Sequence, residues 1–251
     1  MILITGGTAG IGLATASNLL ARGHKVVIAG RDLTSADAAL HQLPGACFLR
    51  ADVSREADCR ALVEATLEIS RGRLRGLVNN AGIGERHRFA ETTTADWDRI
   101  MNTNARSAFL MTRLALPALM EGRGSVVNVA SVAGLRGEEN LALYTASKAA
   151  MIGLTQSLAL ELGHAVRFNA VCPGQVATRM MQKVLADPDR CTALEARIPV
   201  GRFAQPEDVG RTIAWLLSDE AAYINGTVIP VDGGETAGLR ALHNSTRPSY
   251  P

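Results

Sequence analysis

Surplus charge, aromatic rings, paired cysteine motifs and long hydrophobic runs are all in short supply in this chain, and each shortage closes off a class of function. Lys and Arg number 26 against 24 Asp and Glu, interspersed along the sequence, for a formal net charge of +2. That balance offers no field for nucleic acid or an acidic membrane surface, so a small molecule is the expected partner. The four cysteines, Cys47, Cys59, Cys172 and Cys191, form no C-x-x-C pair and have no histidine at zinc spacing. No metal site is expected, and the thiols read as reduced packing residues of a cytoplasmic protein. No segment reaches the roughly 18 apolar residues of a membrane span. The opening "MILITGG" has no basic region ahead of its apolar run, as a secretory leader would. The expected protein is soluble. No linker, repeat or low-complexity segment divides it.

What is present is a regular alternation. Short apolar runs bounded by Gly or Asn recur: "MILIT", "KVVIAG", "CFLRADV", "GLVNNAG", "SVVNVAS", "VRFNAVCPG" and "GTVIPVDGG". Their length and weak polar alternation predict strands buried on both faces, as in a parallel sheet. Longer stretches with helical spacing lie between them. One runs from Ile11 to Gly23. Another covers Glu56 to Ser70, with Ala57, Ala61, Leu62, Ala65 and Ile69 as its inward stripe. A long helix is expected from a Thr94 cap, with Pro117 kinking or interrupting it. The next is expected from about Leu143 to Leu162, stopping at Gly163. The pattern predicts an α/β fold: one doubly wound, Rossmann-like domain over residues 1–234, about seven parallel strands with helices on both faces. Residues 235–251 read as a loosely specified tail.

The first strand runs into "TGGTAGIG" and then into a helix. Glycines at such a turn let the backbone approach a pyrophosphate, whose charge the helix N-terminus stabilises. The usual G-x-G-x-x-G spacing fails, because Thr15 stands where the third glycine belongs; T-G-x-x-x-G-x-G fits instead, through Thr5, Gly6, Gly10 and Gly12. At the end of the second strand, Gly30 occupies the place where an acidic residue would hold ribose hydroxyls, and Arg31 follows, suited to a 2′-phosphate. NADP(H) is therefore favoured, while Asp32 leaves NAD(H) open. Asp52 and Val53 end the third strand, placed to bond the adenine edge and cover its face.

One of only three tyrosines, Tyr144, stands four residues before Lys148 in "YTASK", so a helix presents both to one cleft. With "NNAG", "NVAS", "CPG", "PEDVGRTIAWLLSD" and "VDGG" in order, the chain resembles the short-chain dehydrogenase/reductases over nearly its whole length, in the shorter branch that includes ketoacyl-carrier-protein reductases. The resemblance implies a catalytic tetrad at Asn104, Ser131, Tyr144 and Lys148. Tyr144 would donate the proton, its phenol pKa lowered by the Lys148 ammonium. Ser131 would steady the substrate oxygen, and Asn104 would hold a water that links the lysine to solvent. Cofactor contacts are expected at Thr5, Gly6, Thr8, Gly10, Ile11, Gly12, Arg31, Asp52, Val53, Asn79, Ala81, Gly82, Tyr144, Lys148, Pro173, Gly174, Val176 and Thr178. In addition, Asn79 is expected to tie neighbouring strands.

The implied function is an NADP(H)-dependent exchange between a ketone and a secondary alcohol, by a homotetramer or homodimer. The alternative is a nucleotide-binding sensor without catalysis, against which the intact tetrad argues. A sugar epimerase or dehydratase of the longer branch would expect T-G-x-x-G-x-x-G and more C-terminal residues. Substrate walls are expected from Val132–Leu143 and from the segment after Met181. Glu138, Glu139 and Asn140 would favour a polar or cationic substrate, with Arg86 and His87 as a second polar wall.

Overall fold

The computed structural model describes residues 1–238. In chain order it contains β1 (Ile2–Thr5), α1 (Gly10–Ala21), β2 (Val26–Gly30), α2 (Leu33–Gln42), β3 (Cys47–Arg50), α3 (Glu56–Ser70), β4 (Gly76–Asn79), α4 (Thr94–Met101), α5 (Ser107–Glu121), β5 (Ser125–Val129), α6 (Ala142–Leu162), β6 (Arg167–Pro173), α7 (Gln182–Leu185), α8 (Pro188–Glu195), α9 (Pro206–Leu217) and β7 (Val228–Val231). The strands form one seven-stranded parallel sheet in the order β3-β2-β1-β4-β5-β6-β7. Each lies within one of the seven apolar runs of the sequence, as the doubly wound reading requires. The chain starts at the centre, winds out to β3, and returns to lay β4 on the other side of β1. A crevice therefore opens beyond the carboxyl ends of β1 and β4, where such sheets bind ligands.

Alternate strand residues face opposite layers. Leu3, Val27, Leu77, Val126 and Phe168 pack under α3, α5 and α6. Ile2, Ile4, Ile28, Val78 and Val127 pack under α1, α2 and α9. Gly210 lets α9 approach α1 at backbone contact: a Cβ there would lie 3.0 Å from Ala14 C and Thr15 N.

Three helical expectations need correction. The cap of α4 is Thr93, not Thr94: Thr93 Oγ1 accepts the Asp96 N–H at 3.2 Å while Asp96 accepts the Thr93 N–H at 3.1 Å, a reciprocal box. Pro117 does not interrupt α5, because it and Arg113, whose carbonyl loses its partner, both face solvent where water takes over the bond. The break lies earlier, as a π turn over Asn102–Arg106 between α4 and α5. In α3 the buried residues are Cys59, Leu62, Val63 and Thr66, while Ala57, Ala61 and Ile69 face outward. Leu62 and Val63 take the core face, since an alanine loses little by exposure, and Ile69 in the last turn is left 45% exposed.

The reading of a loose tail from residue 235 also changes. Thr236 N–H and Oγ1 both donate to Asp232 Oδ2, at 2.9 and 2.6 Å, and Glu235 is tied into the body of the protein. Residues 239–251 of that tail lie outside the described residues. No helix among the described residues is long and apolar enough to cross a membrane.

Candidate active site

The glycine loop is built by close approach. Gly6 and Gly10 have φ of +64° and +53°, which favour glycine, and a Cβ on Gly12 would stand 2.3 Å from Gly6 O. The N-terminus of α1 begins at Ala9, with no side chain capping its free N–H groups. Those donors and the helix dipole fit a pyrophosphate. Thr8 and Ile11 are partly buried on the same loop. Thr178, across the crevice, would be 3.3 Å from a Cβ at Gly10.

Several expected contacts prove to be struts of this cradle. Thr5 Oγ1 donates to Val78 O and accepts the Asn80 and Ala81 N–H groups at 3.0 and 3.1 Å, fixing β1 to the end of β4. Asn79 is turned into the sheet: its Nδ2 donates to Asn128 Oδ1 at 2.8 Å and Thr112 Oγ1 at 3.1 Å. That bears out its strand-tying role and takes its side chain away from the crevice. Its neighbour Asn80, which the sequence reading missed, holds the glycine loop, donating to Thr5 O and Gly6 O at 2.9 and 3.0 Å. Val53 is buried in the core with Cys59 and Leu62 rather than open to cover a ring. Asp52 accepts from Ser54 N and Oγ and pairs with Arg31 at 3.6 Å.

Pro173 and Gly174 close β6 against the end of β7, where a Cβ on Gly174 would meet Asp232 Cβ at 2.7 Å. Val176 pairs with Ala204 in an isolated parallel bridge, which holds this segment over the crevice.

The four tetrad candidates converge at the carboxyl ends of β4 and β5. Ser131 follows β5 and its Oγ accepts the Ala133 N–H at 3.1 Å. Tyr144 lies in the first turn of α6, and Lys148 one turn on, buried, with Nζ 5.7 Å from the phenol ring centre. Lys148 Nζ donates to Val129 O at 2.7 Å, and no carboxylate pairs with it among the described residues. Burial pulls its pKa down to about 8. A buried cation without a counter-ion beside the glycine cradle fits a polyhydroxylated ligand such as a nicotinamide nucleotide.

One electrostatic expectation is reversed. The Tyr144 pKa lies above its ordinary value, not below: burial pushes it up, and the Ser131 hydroxyl opposes this only in part. Desolvation wins while Lys148 aims its ammonium at the Val129 carbonyl rather than at the phenol oxygen. Asn104 has a bridging position. It sits fully buried in the π turn, where Nδ2 donates to Ile83 O and Ser147 Oγ at 2.8 and 2.9 Å and Oδ1 accepts the Ile83 N–H at 2.8 Å. Its amide thus ties the segment after β4 to α6. Gly82 fills the space between it and the lysine, since a Cβ there would lie 3.3 Å from both Asn104 Oδ1 and Lys148 Nζ.

Two further residues crowd the phenol and its partners. A Cβ on Gly84 would touch the Tyr144 ring at 3.2 Å. The buried thiol of Cys172, pushed up to about 11 by burial, lies within the field of Lys148 and takes a backbone hydrogen bond from Ser131. Neither carries a signal in sequence, because the contacts are set by packing between distant segments.

Just past Ser131 opens a cavity of about 310 Å³ between the 132–138 turn, Gln175, Arg197 and Glu235. A larger hollow of about 510 Å³ lies on the outer side of α3 and α5, away from the tetrad. Chemistry rather than size picks the site. Among the described residues no group of three or more His, Cys, Asp or Glu could hold a metal.

Comparison with known proteins agrees with this architecture. A family model described as Enoyl-(Acyl carrier protein) reductase matches residues 6–236. The chain is 42% identical over 247 residues to 2-(S)-hydroxypropyl-CoM dehydrogenase 3 of Xanthobacter autotrophicus, covering 94% of this chain and 96% of that one. It is 40% identical over 252 residues to levodione reductase of Leifsonia aquatica, with 94% of each covered. A crystal structure of levodione reductase superposes with a TM-score of 0.88 at 37% identity, covering 95% of this chain and 98% of the other.

Proposed function

The chain belongs to the short-chain dehydrogenase/reductase family, and from that premise we propose that it interconverts a ketone and a secondary alcohol with NADP(H), through Ser131, Tyr144, Lys148 and Asn104. As an oxidoreductase of CH–OH groups it uses a nicotinamide cofactor, which supplies or accepts the hydride. The chain's own residues manage the oxygen. In reduction the Tyr144 hydroxyl donates its proton to the carbonyl oxygen, and in oxidation it receives the alcohol proton. Ser131 donates to the same oxygen as negative charge grows there. Lys148 carries the positive charge that steadies a phenolate. Asn104 keeps the segment after β4 against α6, so the phenol and ammonium hold their places.

The observation that carries this reading is the meeting of Ser131 and the Tyr144–Lys148 pair beside an uncapped helix N-terminus at the sheet's switch point. Preference for NADP(H) rests on the end of β2. Asp32, the one carboxylate there able to hold ribose hydroxyls, caps α2 by accepting the Ser35 N–H at 2.6 Å. Arg31 is exposed, and its partner Asp52 lies at 3.6 Å, a loose ion pair that a 2′-phosphate can replace. With Oδ1 committed to the cap, NAD(H) would have to be held by the second oxygen of Asp32.

The chain acts as a homotetramer or homodimer in this reading, supported by the apolar side chains that α5 and α6 leave outward: Phe109, Met120 and Leu160. Its four free cysteines suit the cytoplasm.

Nicotinamide absorbance during turnover of a ketone panel, with NADPH and NADH in parallel, tests the proposal. Tyr144→Phe should lower kcat about 10²- to 10⁴-fold. Turnover that survives in this variant would remove Tyr144 from the mechanism. Tight nucleotide binding with no turnover of any ketone would favour the non-catalytic sensor.

A further inference from the structure

The cavity beyond Ser131 is lined by four charged side chains, and their pairing leaves one over. Glu138 accepts from Arg86 Nη2, and the Glu139 carbonyl accepts from Arg86 Nη1 at 3.0 Å. Arg86 of one expected polar wall thus neutralises Glu138 of the other, so the acidic side chain of that wall that lines the cavity is already paired. Glu235, whose side chain is 5% exposed, pairs with Arg197 at 2.8 Å and receives the Gln175 amide at 3.3 and 3.4 Å. Arg136 is the remaining charged group of the lining. Its guanidinium has no partner among the described residues.

We propose that this cavity receives the far end of the substrate and that this end is an anion, held by Arg136 with help from Arg197. The inference rests on the ketone/alcohol reading of the site. Arg197 spends one nitrogen on Glu235, and a guanidinium carries five N–H donors, so it can serve a second acceptor. A cationic group would instead have to displace Arg86 from Glu138 or Arg197 from a carboxylate already closed in by Gln175. Val132 and Ala133, directly after Ser131, give the near wall an apolar surface for a short carbon stem. At about 310 Å³ the cavity is at the small end of ligand sites. The substrate class is therefore a short ketone or secondary alcohol bearing a carboxylate, sulfonate or phosphate a few carbons from the reacting carbon.

The test uses matched short ketones: an oxo-carboxylate, its methyl ester, the corresponding oxo-sulfonate and oxo-phosphate, and an oxo-amine. Turnover is read as kcat/KM on the cofactor-loaded enzyme. Binding is read by thermal shift on cofactor-loaded Tyr144→Phe, which removes the proton donor and reports affinity alone. An anionic member should exceed both ester and amine, with the best of the three anions naming the group. In Arg136→Gln its advantage over the ester should fall about 10- to 100-fold, the worth of a charge-assisted hydrogen bond, with Arg136→Lys partly restoring it. Equal use of acid and ester, preference for the amine, or an unchanged ratio in Arg136→Gln would overturn the anion site. In those cases Tyr144-dependent ester turnover would leave the oxidoreductase reading intact. Conversely, anion binding that depends on Arg136 without turnover of any ketone would keep the anion site and sink the oxidoreductase reading. Neither turnover nor anion binding overturns both.

Discussion

Lys148 should destabilise the protein that depends on it. The residue is only 3% exposed, and burial lowers its pKa from 10.5 to about 8. At about 1.4 kcal/mol per pKa step this amounts to a folding penalty of about 3 kcal/mol. The penalty is complete below about pH 8, where folded and unfolded chains both hold the proton. It shrinks as pH rises from about 8 toward 10.5, because there the unfolded chain binds the extra proton, and it vanishes above. Lys148→Met keeps the stem and removes the charge. The Val129 carbonyl then loses its 2.7 Å donor, which costs about 1 kcal/mol. The net gain near pH 7 is about 2 kcal/mol, or about 4–8 °C in Tm for a chain of this size.

Urea unfolding of the cofactor-free wild type and Lys148→Met at pH 7, 8 and 9.5 checks the argument. The difference between the two proteins is the quantity to follow. Cys59 and Cys172 have thiol pKa values raised to about 11 by burial, so their contribution declines with pH above their ordinary 9.0 and bends both curves downward. Subtraction cancels the Cys59 part and nearly all of the Cys172 part, since without Lys148 the Cys172 thiol only titrates higher still. Met should be the more stable at pH 7, and its lead should narrow by pH 9.5, while turnover is lost. A Met variant less stable at pH 7, or a lead that stays constant across this range, would refute a buried ammonium as the source.

Two further outcomes follow from packing and capping. Gly210→Val should cost about 1–3 kcal/mol of stability, because its side chain would press on the backbone of Ala14 and Thr15 at 3.0 Å and force α9 off α1; an unchanged urea midpoint would mean the helices part freely. Asp32→Ala should lower the urea midpoint through loss of the α2 cap and leave the NADPH-to-NADH ratio in place. A selective loss of NADH turnover would show that Asp32 holds ribose instead.

The strands were legible because parallel strands covered on both faces must be continuous apolar runs, and nothing else in the chain looks like them. The glycine turn and the Tyr144–Lys148 pair were legible because each depends on local spacing. What failed depends on competition or on distance. The face of α3 turned on whether alanine or larger side chains take the core. The π turn at Asn102–Arg106 is a change of hydrogen-bond register that no residue type announces. Glu235 looked like the start of a tail because its partner Gln175 lies 60 residues away. Glu138 looked like an acidic mouth because Arg86 lies 52 residues away.

The same distinction explains the reversed tyrosine. Sequence places an ammonium one helical turn from a phenol, and Coulomb's law alone would then lower the phenol's pKa. Folding adds Gly82, Gly84 and the Asn104 bridge, which bring the segment after β4 down onto α6, and puts Met151 Sδ 3.7 Å and the Val129 carbonyl 2.7 Å from Lys148 Nζ. Burial favours the neutral form of both groups, so it raises the phenol from its ordinary 10.0 and lowers the ammonium from 10.5 to about 8, and the two pKa values move apart. That separation keeps the phenol protonated, as the group that donates to a carbonyl oxygen must be before reduction. The folding penalty carried by Lys148 and the hold of Tyr144 on its proton therefore have one cause, the removal of water from the end of β5.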